Sequence, residues 1–130
     1  MSILFNEQPN ISYFFNTEEH QDEMDQGYAS AISTDEKRSV LVFKDVDDHF
    51  DGNGLAILWL IKGQGIFYLD GEAIKMETGD VIMFDDNIEH GFEAPKICMA
   101  VNVLIDKEYS LEEVKALIKE INKPIKKFKP

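Results

Sequence analysis

The central part of the chain alternates between short apolar runs and clusters of turn residues. The longest run, 55–61, has the length of a strand and lies between Gly54 and Gly63. Aromatic and β-branched residues, which favour strands, fill most of the runs that follow. Strands that recur about every ten residues without helices between them predict an antiparallel sandwich or barrel. The predicted strands are 28–33, 40–46, 55–61, 66–69, 72–76, 81–84 and 97–105.

Two polar segments between these runs carry local signals of their own. Asp70-Gly71 predicts a tight hairpin, because a type I′ turn needs positive φ at both of its central positions. The segment 47–54 is rich in aspartate, glycine and asparagine, a composition typical of an exposed loop. Closer to the start, residues 11–15 alternate like a strand, while 17–20 has the pattern of a helical turn.

The end of the chain is the only part that predicts a helix, over about 110–122. Ser110 and Glu113 have the spacing of a capping box, and apolar residues then recur at helical intervals on one face. Asn122 and Pro124 end the pattern. A helix with one apolar face beside a barrel is expected to cover an open end or an edge strand, or to pair with its copy in a dimer.

Composition and charge restrict the classes of function. A chain of 130 residues, 44% of them hydrophobic, predicts one domain, 1–130, with its core at about 40–105. The net charge of −12, concentrated between 17 and 51, disfavours nucleic-acid binding. It keeps the protein in solution or forms a docking face for a basic partner protein. No apolar run is long enough for a membrane span, no signal peptide is evident, and the single cysteine, Cys98, predicts a reducing, cytoplasmic location.

From Leu55 to Phe92 the order of strands and turns resembles the cupin core. The second cupin motif runs glycine, five residues, proline, one residue, glycine, two residues, histidine, three residues and asparagine. In this chain Gly79 begins the motif and His90 occupies the histidine position. The proline, second glycine and asparagine positions hold Asp85, Asn87 and Ala94. The resemblance implies an all-β, antiparallel jelly-roll barrel with a C-terminal helix.

The first cupin motif is degenerate. It runs histidine, any residue, histidine, three or four residues, glutamate, six residues and glycine. With Gly63 as the final glycine, Ala56 stands at the glutamate position, and His49 and Asp51 stand at the two histidine positions. The resemblance therefore implies a metal set of His49, Asp51 and His90 that could hold Fe, Mn, Ni or Zn. Exposure of His49 and Asp51 in a loop is the competing interpretation.

The lumen of such a barrel is also a candidate pocket for a small molecule. Either the set 56, 58 and 60 or the set 55, 57, 59 and 61 would line it, since alternate residues of a strand face opposite ways. For the metal set, a further carboxylate from Asp85 or Asp86 would have to bend inward from its turn to act as a ligand. Core packing is the alternative role for the aromatic candidates. The candidate ligand-pocket residues are Ala56, Leu58, Trp59, Phe67, Tyr68, Phe84 and His90.

Three functions remain open at this point. The first is a ligand-binding or sensing module with a degenerate metal site, whose partner is a small molecule. The second is a metal-dependent enzyme of the dioxygenase, isomerase or decarboxylase type using His49, Asp51 and His90. The third is an interaction scaffold that uses the acidic face. A homodimer is expected because pairing protects exposed strand edges.

Overall fold

The structure, a computed structural model, describes residues 4–10, 30–33, 39–50, 52 and 54–122. These residues form strands that are followed by one helix, α1, which spans Leu111–Ile121. The strands are β1 (Phe5–Asn6), β2 (Ser30–Ser33), β3 (Ser39–Phe43), β4 (Val46–His49), β5 (Leu55–Lys62), β6 (Gln64–Leu69), β7 (Glu72–Glu77), β8 (Asp80–Asp85), β9 (His90–Glu93) and β10 (Cys98–Ile105).

The strands form two sheets. One has six strands in the order β1-β8-β5-β10-β3-β2, and the other has four in the order β4-β9-β6-β7. Every strand pair in both sheets is antiparallel. The predicted all-β, antiparallel jelly-roll fold is therefore confirmed.

The hairpin between β6 and β7 turns at the predicted dipeptide. Asp70 has a φ of 49° and Gly71 a φ of 79°. Both central residues thus adopt the left-handed conformation that this turn requires. The register then runs from the Leu69–Glu72 pair at the turn to the Gln64–Glu77 pair at the open end. Ile74 and Met76 are buried on one face of β7, whereas Ala73 and Lys75 are exposed on the other.

The long apolar run of β5 is explained by burial on both of its faces. Ala56, Leu58 and Leu60 belong to a cluster that includes residues of both sheets and fills the space between them, which we call the lumen. The alternate residues of β5 belong to a second cluster, on the outer face of the six-stranded sheet. A strand buried on both faces reads as a continuous hydrophobic run, and its alternation is lost from the sequence.

Helix α1 covers that outer face. The Ser110 side chain accepts a hydrogen bond from the Glu113 backbone N–H, and the Glu113 carboxylate accepts one from the Ser110 N–H. These two bonds complete the predicted capping box. Val114, Ile118 and Ile121 are buried in the outer cluster with the central strands. The helix thus packs on the face of the six-stranded sheet, and Asn122 at its end is bonded to Gln8 and Asn10, which follow edge strand β1. Pairing of the helix with its copy in a dimer stays a prediction.

Three strands depart from the sequence predictions. β4 lies mostly in the segment that was expected to be an exposed loop, and β9 was not predicted; the two strands pair with each other across the register His49–His90. β1 was not predicted and pairs with β8. The patterns seen at 11–15 and 17–20, and the acidic segment around them, lie outside the described residues. Within the described part of the chain, no helix is long and apolar enough to cross a membrane.

Candidate ligand site in the barrel lumen

A cavity of about 270 Å³ lies in the lumen, between the two sheets. Its wall is mostly apolar and includes four phenylalanine rings, which meet edge to face: Phe67 with Phe84 at 5.1 Å between centroids, and Phe43 with Phe92 at 4.8 Å. Edge-to-face packing is the arrangement that aromatic rings prefer. The complete wall consists of Leu41, Phe43, Val46, His49, Leu58, Phe67, Phe84, Asp86, His90, Gly91, Phe92 and Asn102.

A bulge in β4 brings His49 into this wall. Val46 pairs with Phe92 and His49 pairs with His90, so three steps along β4 match two steps along β9. Without the extra residue, Val46 and His49 would face opposite sides of the sheet; with it, both line the cavity. Bulges of this kind re-aim side chains beside functional sites.

Gly91 makes the bulge sterically feasible. A Cβ atom at this position would lie 2.4 Å from Asp48 Oδ1 and 2.7 Å from the Val46 carbonyl oxygen. Both distances are shorter than a real Cβ contact allows, and one of the two atoms belongs to the backbone. Any larger residue at 91 would therefore push β4 away from β9.

The two imidazoles of His49 and His90 lie against each other, with their ring centroids 4.4 Å apart. The Nδ1 atom of each ring is 2.8 Å from a backbone carbonyl two residues earlier, Asp47 O for His49 and Ile88 O for His90. Because a carbonyl oxygen only accepts, Nδ1 carries the hydrogen in both rings.

Asp86 lines the cavity from the turn after β8. It is 2% exposed, and its backbone N–H donates to Gly54 O at 2.6 Å, which holds the turn against the loop before β5. Asp85, the other candidate in this turn, uses its carboxylate to accept a hydrogen bond from the Asn87 N–H at 2.8 Å. Of the two carboxylates considered from the sequence, the structure therefore places Asp86 in the cavity wall.

Asn102 is a site residue that the sequence analysis missed. It lies in β10, where Cys98 and Ala100 face the lumen, and two further residues along the strand Asn102 reaches the cavity. Its Oδ1 atom is buried without a hydrogen-bond partner, and it is the only such side-chain nitrogen or oxygen atom that the described residues contain. An asparagine within the apolar run 97–105 was the available signal.

The predicted pocket residues divide between three places. Leu58, Phe67, Phe84 and His90 line the cavity, and Ala56 is fully buried in the same lumen cluster without reaching the wall. Trp59 lies elsewhere, because it follows Leu58 on β5 and so faces the outer cluster. It is fully buried there, and its indole N–H donates to Glu7 O at 2.9 Å.

Tyr68 also lies outside the lumen. It stands between Phe67 and Leu69, whose side chains face inward, and its hydroxyl donates to Glu93 Oε2 at 2.9 Å on the outer surface of the four-stranded sheet. This hydrogen bond and the nearby carboxylate charge raise the pKa of Tyr68. The strand alternation that turns Phe67 and Leu58 toward the lumen turns Tyr68 and Trp59 toward the opposite faces.

The described residues do not fit a metal centre of the expected kind. No three histidine, cysteine, aspartate or glutamate side chains gather in a metal-binding arrangement within the described ranges. Ala56, at the family's glutamate position, has no ligating atom. The third predicted ligand, Asp51, lies outside the described residues. His49 and His90 do converge on the cavity, as the motif positions imply.

Two facing antiparallel sheets around an aromatic-lined lumen define a small jelly-roll barrel protein. The family model for the cupin domain matches residues 45–104, which run from the start of β4 almost to the end of β10. This part of the chain is similar to the cupin domain family.

Solved structures agree with this fold. A protein from Neisseria meningitidis superposes with a TM-score of 0.54 at 14% identity, over 71% of this chain and 98% of that one. A cupin-2 domain containing protein from Shewanella frigidimarina superposes with a TM-score of 0.53 at 11% identity, over 72% of this chain and 95% of that one. Identities this low show the fold alone. Comparison with curated proteins gives no significant match.

Proposed function

We propose that this cupin barrel binds a small, largely apolar molecule in its lumen and acts as a ligand-binding or sensing module. The observation that carries the proposal is the 270 Å³ cavity, walled by phenyl rings and aliphatic side chains with a few polar groups. Ligand sites in proteins typically combine an apolar wall with a small number of placed polar groups. The volume is slightly below the roughly 300–1,000 Å³ of sites for drug-sized compounds, which favours a smaller ligand.

The strand ends beside the histidine pair suit an entrance for such a ligand. Phe50 follows His49 and is 64% exposed, Ile88 precedes β9, and Leu104 lies near the end of β10 and is 57% exposed. Leu104 pairs with Ala56, and Ala56 pairs with Phe84 of the cavity wall. Leu104 therefore lies in the same row of residues as Phe84, near one end of the barrel. Exposed apolar residues around a cavity mouth are a common feature of binding sites.

The test is a screen of small aromatic and aliphatic fragments by protein NMR and thermal shift. A fragment at a hundred times its dissociation constant should stabilise the protein by about 2.7 kcal/mol, or roughly 10 °C in Tm. Leu58→Trp adds an indole to the cavity wall and should abolish the shift while the protein stays folded. Tyr68→Phe, on the outer surface, is the matched control and should bind as the wild type does.

The alternative, a metal-dependent enzyme, rests on the convergence of His49 and His90 on the cavity. It needs a third ligand that the described residues do not supply, and Asp51 is the candidate for it. A fragment screen without a single hit in the lumen would contradict the binding module. The metal content of the purified protein tests the enzyme directly.

A further inference from the structure

The polar part of the cavity wall is small: Asn102 on β10, Asp86 in the turn after β8, and the imidazoles of His49 and His90. The rest of the wall is apolar, so an anionic ligand would lose its hydration there without a compensating charge. The amide oxygen of Asn102 can accept a hydrogen bond from a molecule that brings an N–H or O–H group.

Asn102 is held in a fixed position in the sheet and carries an unpaired acceptor atom. Strand β10 pairs with β5 on one side and β3 on the other, through Asn102–Leu58 and Asn102–Ser39, so the backbone of residue 102 is fixed within the sheet. The Oδ1 atom is buried and has no hydrogen-bond partner within the protein. Buried polar atoms in native proteins are almost always paired, so one left over at a cavity wall marks a position for a ligand or solvent donor.

The apolar part of the wall indicates the body of the ligand. Phe67 and Phe84 meet at 65°, and Phe43 and Phe92 meet at 80°. These angles leave ring faces and edges available to a further ring. Together with the small volume, this favours a flat aromatic molecule over a sugar, whose many hydroxyl groups would lack partners on the phenyl surfaces.

We infer that the lumen binds a neutral aromatic molecule carrying a hydroxyl or amino donor, and that this donor pairs with Asn102 Oδ1. The inference rests on the proposed function and adds the chemical class of the ligand to it. An aromatic molecule without a donor would strip the solvent partner from Oδ1 and leave the oxygen unpaired. A carboxylate-bearing aromatic would bury its charge in a mostly apolar wall and against the amide oxygen of Asn102.

The experiment compares three probes of matched shape: 2-naphthol, which has a donor, 2-methylnaphthalene, which has none, and 2-naphthoate, which is an anion. Dissociation constants are measured by NMR titration at pH 8 for the wild type and for Asn102→Leu, which keeps the branched shape of the side chain and removes the amide. We expect the affinity ratio of 2-naphthol to 2-methylnaphthalene to fall about tenfold in the variant, which is the value of one buried hydrogen bond. The wild type should bind 2-naphthoate at least about tenfold more weakly than 2-naphthol.

The control variants keep the result interpretable. Asn102→Val provides a second replacement, suited to a strand, should the leucine variant fail to fold. Tyr68→Phe removes a hydroxyl from the outer surface and should leave the ratio unchanged. If the two uncharged probes bind the lumen and their ratio is the same in wild type and variant, the donor inference is wrong and the binding module stands. If no probe and no screened fragment binds in the lumen, the binding module itself is refuted, and the inference with it.

Discussion

His49 and His90 lie directly opposite each other in the β4–β9 pair, with their ring centroids 4.4 Å apart. The two residues are far apart in the sequence, and a bulge in β4 is needed to turn His49 toward its partner. The same bulge depends on the absence of a side chain at Gly91. The geometry of the histidine pair is therefore set by a residue that has no functional group of its own.

Gly91→Ala should consequently disturb the site as well as the fold. The added methyl group would collide with the Val46 carbonyl and the Asp48 side chain, so β4 must shift. Overpacking of this kind costs about 1–3 kcal/mol of unfolding free energy, measurable by urea denaturation. The imidazole resonances of His49 and His90 should both move.

Gly71→Asn is the matched control for this variant. A Cβ at residue 71 meets no other atom in its surroundings, and asparagine tolerates the positive φ of this position. The control should therefore keep most of its stability and leave both imidazole resonances in place. Equal losses in the two variants would contradict the steric explanation.

The metal content separates the binding module from the metal-dependent enzyme. Two histidines without a third ligand hold a divalent ion weakly, so protein purified without chelator should contain less than about a tenth of an equivalent of Fe, Mn, Ni or Zn. Elemental analysis of the protein checks this value. A full equivalent that disappears in both Asp51→Ala and His49→Ala would show that Asp51 completes a three-ligand site, and would favour the enzyme.

The capping box of α1 should make helix docking dependent on pH. Hydrogen bonds from Ser110 and the nearby Lys107 charge lower the pKa of Glu113 below its ordinary value of 4.5. A carboxyl whose pKa is lower in the folded state stabilises that state above its unfolded-state pKa, and the contribution is lost as the pH falls through the folded-state pKa. An NMR titration of the Glu113 carboxyl carbon should show the lowered value.

Ser110→Ala removes the side-chain oxygen that accepts from the Glu113 N–H. Loss of an N-cap serine costs about 1 kcal/mol of unfolding free energy. The pKa of Glu113 should move back toward its ordinary value, because the distorted cap weakens the hydrogen bond from the backbone of residue 110. A variant with unchanged stability and an unchanged Glu113 titration would show that the cap seen here is not formed in solution.

Cys98 should be nearly inert toward thiol reagents in the folded protein. Its side chain is fully buried, and burial raises the pKa of the thiol. A raised pKa reduces the fraction of reactive thiolate. Reaction with DTNB at pH 8 should be about a hundredfold slower in the native protein than in urea.

Gly63→Ala should speed the native reaction of Cys98 with DTNB, since the added Cβ would lie 2.6 Å from the Cys98 sulfur. A native rate equal to that in urea would rule out burial of this thiol.

Local signals in the sequence were sufficient for much of the fold. Asp70-Gly71 predicted the hairpin because its backbone requirement is met within two residues. The capping box at Ser110 predicted the helix for the same reason. The position of the helix depended on burial in a cluster that includes residues of β5, far away in the sequence. A continuous apolar run cannot show which of its two faces meets a helix.

The site was harder to predict because its residues depend on irregular or distant structure. The motif positions pointed to His49 and His90, yet their contact needs a bulge, and a single extra residue reverses which side chains face inward. On the regular strands, candidate side chains faced the lumen or the opposite side in alternation. The sequence alone does not show which of the two alternating sets faces the lumen. Asn102 could have been found as the polar member of an apolar strand. Its unpaired oxygen is visible only once both sheets are in place.

Neighbouring residues of β5 belong to different clusters, and this makes the fluorescence of Trp59 a reporter for the cavity. Trp59 is the only tryptophan in the chain, and it is the immediate neighbour of Leu58, which touches the cavity from the other face of the same strand. Its emission comes from a fully buried indole anchored to Glu7. A compound that enters the barrel and shifts β5 should therefore change the intrinsic fluorescence of an indole that it does not contact.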